Sequence, residues 1–249
     1  MSRSRVHDLL SDLFQLKEPK LLIDLLEHEA YSHFMQSHGI QMDVKALVVA
    51  FTHTSFSHEF SVANQEKLEF LGDSVLQLIV TEELFKRYPN ENEGKLSKLR
   101  SSIVNEKTLA GVALGLKLGE LIIVGKGEFK KNLILGDAVL ADTLEALLGQ
   151  IYRHQGWDFT RKLCLGWLEK FTPGALDMDL LEQFDSKSRL QELSLSLYKK
   201  LPQYLSEPKG DQFEVRLLIN DELMASGVFS SKKTGEKELA QNVLKKGLI

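Results

Sequence analysis

The residues with most chemistry to offer lie between Asn64 and Leu76, in the stretch NQEKLEFLGDSVL, where acids stand at Glu66, Glu69 and Asp73, spaced i, i+3 and i+7. At about 100° per residue these three side chains fall within roughly 60° of one helix face. A second pair, Asp142 and Glu145, is three residues apart in GDAVLADTLEALLG (136–149) and shares a face in the same way. Turned toward each other, the two faces offer hard oxygen ligands whose mutual repulsion is relieved by protonation or by a divalent cation. Mg²⁺ suits such a set, with Mn²⁺ as a substitute. One or two such ions, about 3.5–4 Å apart when paired, acidify an attacking water and stabilise a leaving oxygen, as phosphodiester hydrolysis requires. Spacing alone leaves a plainer alternative open, that these acids are solvated helix faces or salt-bridge partners.

The elements that must hold these acids read as helices apolar on most sides. In the first, Leu68, Leu71, Val75, Leu78 and Ile79 gather opposite the acids, while Leu76 and Val80 return to the acidic sector further along. In the second, Leu140, Leu144, Leu147, Leu148 and Ile151 form the packing side, and the small Ala138 and Gly149 flank the acids, leaving room for an ion or a phosphate. A helix apolar nearly all round is buried, so its acids are expected to line a cleft or an interface.

The 249 residues, 43% hydrophobic and 27% charged, describe a globular chain with room for a large and a small domain. A net charge of -4 excludes a uniformly basic nucleic-acid coat protein, but the charge is uneven: 11 Lys and Arg face 9 Asp and Glu from Phe184 onward, against 20 and 26 before it. The single Cys164 rules out an intrachain disulfide framework, and no signal-like or membrane-spanning apolar run opens the chain, so a cytoplasmic location is expected. Residues 1–40 read as an extension of one or two amphipathic helices, and 41–170 as an all-helical domain. Residues 171–185, with Thr172-Pro173-Gly174, read as a linker. Residues 186–249 turn to helix, strands, helix, with alternation over Phe213–Ile219 and Leu223–Phe229.

The two acidic blocks, together with LSKLRSSIVNE (96–106) and GKGE (125–128), resemble the ribonuclease III family from about Val44 to the C-terminus. That resemblance implies an all-α nuclease domain followed by a small α-β-β-β-α double-stranded-RNA-binding domain. It also implies a homodimeric, metal-dependent endoribonuclease that cuts both strands of duplex RNA, leaves short 3′ overhangs, and serves ribosomal-RNA precursor and mRNA processing. Glu69, Asp73, Asp142 and Glu145 match the family's metal ligands, with Asp73 and Glu145 the pair treated as catalytic. Glu66 and Glu93 match supporting acids at the RNA cleft. Phe70 matches an aromatic that inserts into the partner, an ordinary core aromatic being the alternative. No membrane and no small-molecule cofactor is implied.

In the tail, Gln191, Lys232 and Lys233 match RNA-binding positions, the lysines adding charge at a helix N-terminus where phosphate is the expected ligand. The sequence departs from the pattern in EPKGDQ (207–212), read as a strand-connecting loop without the histidine common there. Gly235 and Glu238 also stand where alanines are common. His53 and His58 as a metal pair are the weaker reading, a hydrogen-bonded histidine in a turn the stronger. The rival function is a silent duplex-RNA-binding or ribosome-associated scaffold on the same fold, which is expected to have lost metal ligands. A DNA nuclease is disfavoured by a module that reads 2′-hydroxyls and A-form grooves.

Overall fold

The computed structural model describes residues 5–16, 19–130, 136–178 and 186–247, which divide into two units between Leu176 and Asp177. The expected linker lies outside the described residues from 179 to 185. The first unit is helical: α1 (Arg5–Leu16), α2 (Pro19–Leu26), α3 (Glu29–His38), α4 (Val44–Val49), α5 (Thr54–Phe60), α6 (Glu66–Arg87), α7 (Glu93–Ile103), α8 (Glu106–Gly115), α9 (Lys126–Lys130) and α10 (Asp137–Phe171). Among the described residues no helix is long and apolar enough to cross a membrane.

Local chemistry sets several of these boundaries. Asp43, Asn92 and Asn105 accept backbone N–H groups at the starts of α4, α7 and α8, satisfying donors the first turn leaves free. Among the described residues the segment before Gly39 holds three helices where periodicity suggested one or two, and the His28 ring, accepting the Ala30 N–H, starts α3 afresh. Its first helix is anchored by Phe14, whose ring lies 6.2 Å from Phe60 and 5.5 Å from Phe129. Gly156, at φ 73°, breaks the helical path inside α10.

The core of this unit is built on α6 and α10, whose central residues Leu76, Ile79, Val80, Leu147, Leu148 and Ile151 are buried. Their backbones meet at glycines. A Cβ on Gly72 would sit 1.7 Å from the Glu145 carbonyl oxygen, and one on Gly149 would sit 2.2 Å from that of Leu68. Gly149 therefore makes room for the neighbouring backbone, where the sequence suggested space for an ion. The outer side of α6 also differs from expectation. Leu78, assigned to the packing side, is 56% exposed, and Phe70 and Phe85 are 79% and 71% exposed. These three fall within about 80° of each other around the helix, so they form one apolar stripe.

The second unit has the order α11 (Ser186–Tyr198), β1 (Gln203–Lys209), β2 (Gln212–Ile219), β3 (Glu222–Phe229) and α12 (Lys232–Lys245). Its three strands pair antiparallel in the order β1-β2-β3. Most of the expected loop 207–212 is strand, because Lys209 pairs with Gln212 and only Gly210 and Asp211 turn the chain, with Gly210 at φ 62°. The second turn, Asn220-Asp221, has both residues at positive φ, the hairpin geometry that matches strand twist. Leu190, Val215, Leu217, Ile219, Leu239, Ala240 and Val243 form a core between helices and sheet.

Candidate metal centre

The contact between Gly72 and Gly149 determines what the acids can do. Two helices normally stand 8–10 Å apart, and a glycine pair permits the short end of that range, within reach of carboxylates projecting from both. Glu69 lies one turn before Gly72, and Glu145 one turn before Gly149. As a result Glu69, Asp142 and Glu145 each present a carboxylate oxygen within 4.8 Å of the others.

Their electrostatics show uncompensated charge. Burial, then the charges of Asp73, Asp142 and Glu69, push the Glu145 carboxyl up to about 8. Glu69 is raised by burial and by Asp142, Glu66 and Asp73, and Asp142 by burial and Glu106, with His53 pulling the other way. Three half-buried hard oxygen donors that resist ionising together fit a divalent cation, which removes the repulsion in one step.

Asp73 stands close enough for its charge to act on Glu145 and Glu69, yet its two oxygens accept the Gln77 Nε2–H₂ at 2.8 and 3.0 Å. It borders the three-carboxylate group without belonging to it. Glu66 is exposed at the start of α6, its charge reaching Glu69. Glu93 opens α7, is exposed, accepts the Ser97 hydroxyl at 2.9 Å, and lines a cavity of about 460 Å³ with Thr81, Phe85, Leu96 and Arg100. Phe70, next to Glu69 on α6, is exposed. Within the second unit, Gln191, Lys232 and Lys233 are exposed as well. Ser231 accepts the Thr234 N–H and starts α12, so the lysines occupy its first two positions, with Lys232 Nζ 5.4 Å from the Phe213 ring centroid.

Two residues stand near Asp142 without any sign of that proximity in the sequence. Glu106 follows the Asn105 cap of α8 and closes the LSKLRSSIVNE block, which does not tell which acid it faces. His53 caps α5 by accepting the Ser55 N–H at Nδ1, 3.2 Å away, and Ser55 Oγ in turn accepts the Gly125 N–H. Its role as a hydrogen-bonded turn residue was the reading favoured above, and its electrostatic link to Asp142 adds to it. Cys164 is buried, and burial pushes its thiol up to about 12, far from nucleophile character.

Residues 43–170 match the family described as Ribonuclease-III-like, and 186–246 the Double-stranded RNA binding motif. The chain is 40% identical over 224 residues to Ribonuclease 3 of Methylococcus capsulatus, covering 86% of this chain and 94% of the relative. It is 32% identical over 241 residues to Ribonuclease 3 of Pseudothermotoga lettingae, covering 92% and 97%. A solved nuclease domain of ribonuclease III from Campylobacter jejuni, whose description concerns a region involved in dimer formation, superposes with a TM-score of 0.53 at 39% identity, covering 56% of this chain and 96% of that one.

Proposed function

The chain belongs to the ribonuclease III family, and on that premise we propose that it is an endoribonuclease that cleaves double-stranded RNA by Mg²⁺-assisted hydrolysis, Mn²⁺ substituting. The observation that carries the reading is the approach of Glu69, Asp142 and Glu145 across the α6/α10 contact. A bound divalent ion supplies an acidified water and charge stabilisation at the leaving oxygen. The protein's own work is to hold that ion and to manage a proton. Glu69, Asp73, Asp142 and Glu145 are the ligands, with Asp73 and Glu145 the catalytic pair, and Glu145, whose carboxyl is pushed up to about 8 by burial and its acidic neighbours, must release its proton for the site to form. Asp73, oriented by Gln77, adds charge on the side facing Glu145, and Glu66 and Glu93 support the RNA cleft.

Duplex RNA is the substrate because the second unit carries the matching fold and match, with Gln191, Lys232 and Lys233 as contacts. The lysines stand where helix N-terminal amides and side-chain charge favour phosphate. The active form is a homodimer. Phe70, Leu78 and Phe85 leave an apolar stripe on α6 that a second copy buries, with Phe70 inserting into the partner. Short 3′ overhangs, a cytoplasmic location, and roles in ribosomal-RNA precursor and mRNA processing complete the proposal. The silent-scaffold reading is disfavoured, since all four expected acids are present.

The test is a cleavage gel with labelled duplex RNA, duplex DNA and single-stranded RNA, each with Mg²⁺ or EDTA. Cutting of duplex RNA alone, abolished by EDTA, is expected. Cutting of duplex DNA, or cutting that persists in EDTA, would refute the proposal.

A further inference from the structure

A glycine-on-glycine contact sets how close two helices come, but it has no side chain to resist rotation or sliding. A second, directional contact lies nearer the helix starts. Gln65, immediately before Glu66, is 2% exposed, and Thr143, immediately after Asp142, is wholly buried. The Thr143 hydroxyl stands 3.2 Å from Gln65 Oε1 and 2.8 Å from the Val139 carbonyl, sharing one proton between them. The backbone of Gln65 is fixed at the same time. Its N–H donates to the Thr52 carbonyl at 3.0 Å, and its own carbonyl accepts the amides of Leu68 and Glu69, each at 2.9 Å. One residue therefore starts the turn that carries Glu69 and ties it to the turn that carries Asp142.

We propose that the Gln65–Thr143 hydrogen bond is a positioning contact for the metal centre, fixing the rotation of α6 against α10 so that Glu69 meets Asp142 and Glu145. The inference rests on the metal-site reading above. The bond and the Gly72/Gly149 contact are about 10 Å apart along the helices, and Glu69 and Glu145 lie between them. To the apolar packing of the two helices the bond adds a directional contact at the turns that carry Glu69 and Asp142. Partners that orient ligands in this way change metal affinity by about 10–100-fold when removed.

The test separates positioning from simple stability. Thr143→Val leaves Gln65 Oε1 unpaired and destabilises, whereas Gln65→Met with Thr143→Val replaces both partners by apolar groups of similar shape and keeps stability near wild type. Calorimetric titration of Mn²⁺ into the full chain is expected to show about 10-fold weaker binding in both, with Thr143→Ser unchanged. A double variant with wild-type melting temperature and wild-type Mn²⁺ affinity would overturn the proposal. Should it not fold, unchanged affinity in Thr143→Val does the same. Glu145→Gln in the same titration separates the two levels. If it binds Mn²⁺ as wild type does, the metal-site reading fails. If it loses binding while the Gln65 and Thr143 variants do not, only the positioning claim fails.

Discussion

Both units place glycines where no side chain fits, for different ends. In the helical unit Gly72 and Gly149 meet a carbonyl oxygen each, so their absent Cβ atoms set the distance between two backbones. In the second unit Gly227 and Gly235 both face the ring of Phe229, with Gly235 also against Val215. There the missing atoms accommodate one bulky side chain. The first contact is rigid, because a helix backbone cannot fold out of the way, and it carries charged groups whose spacing is the function. The second can relax by a ring movement, and it carries a packing surface. Substitution should therefore be severe at the α6/α10 glycines and graded at Gly227 and Gly235.

The largest effect is expected from Gly72→Ala. Its Cβ would meet the Glu145 carbonyl at 1.7 Å, so α6 and α10 must part. A loss of more than about 3 kcal/mol in chemical denaturation is expected, since neither backbone can yield. Cleavage should fall with it, and a variant of wild-type stability would break the comparison.

This contact was also the least legible feature in the sequence. The acids Glu66, Glu69 and Asp73, and Asp142 with Glu145, announced themselves by spacing, because helical periodicity is a local property. Gly149 reads as room for an ion and Gly72 carries no signal of its own, since what excludes a Cβ at either is the other helix, some seventy residues away. The same reason hid Gln65–Thr143 and the proximity of Glu106 and His53 to Asp142. Leu78 was misassigned because an apolar residue facing its own core and one facing outward look identical in one chain. In the second unit β2 and β3 were legible by alternation. The loop before β2 was not, because Pro208, Lys209 and Gly210 signal a turn more strongly than the paired Lys209 and Gln212 signal strand.

A middle-sized effect concerns pH. The Glu145 carboxyl is raised in the folded chain to about 8, above its unfolded value near 4.5, so between those values the folded state binds more protons than the unfolded one. Stability in EDTA should then be greatest below pH 4.5 as far as this group decides it, and fall as pH rises toward 8. Thermal melts should show that slope reduced in Glu145→Gln and offset by Mg²⁺, which binds the deprotonated form. A slope unchanged by the substitution would contradict the burial and charge account of Glu145.

The smallest effect is expected in the second unit. Gly235→Ala places a Cβ 2.6 Å from Phe229 and Val215, but it adds a better helix former. A net loss of about 1–2 kcal/mol follows from overpacking partly offset by propensity. Pairing it with Phe229→Leu should recover most of the loss, and that rescue has no counterpart for Gly72→Ala. Failure of the rescue would mean that Phe229 is not what the glycine accommodates.

The central claim is that carboxylates from α6 and α10 jointly hold a divalent ion against duplex RNA. Its most direct test compares wild type with Glu145→Gln, measuring cleavage of labelled duplex RNA in Mg²⁺ and duplex binding in parallel. The account predicts cleavage reduced by about 10²–10³-fold or more, as for loss of a group acting on developing charge, with binding essentially unchanged. Cleavage at the wild-type rate would contradict it.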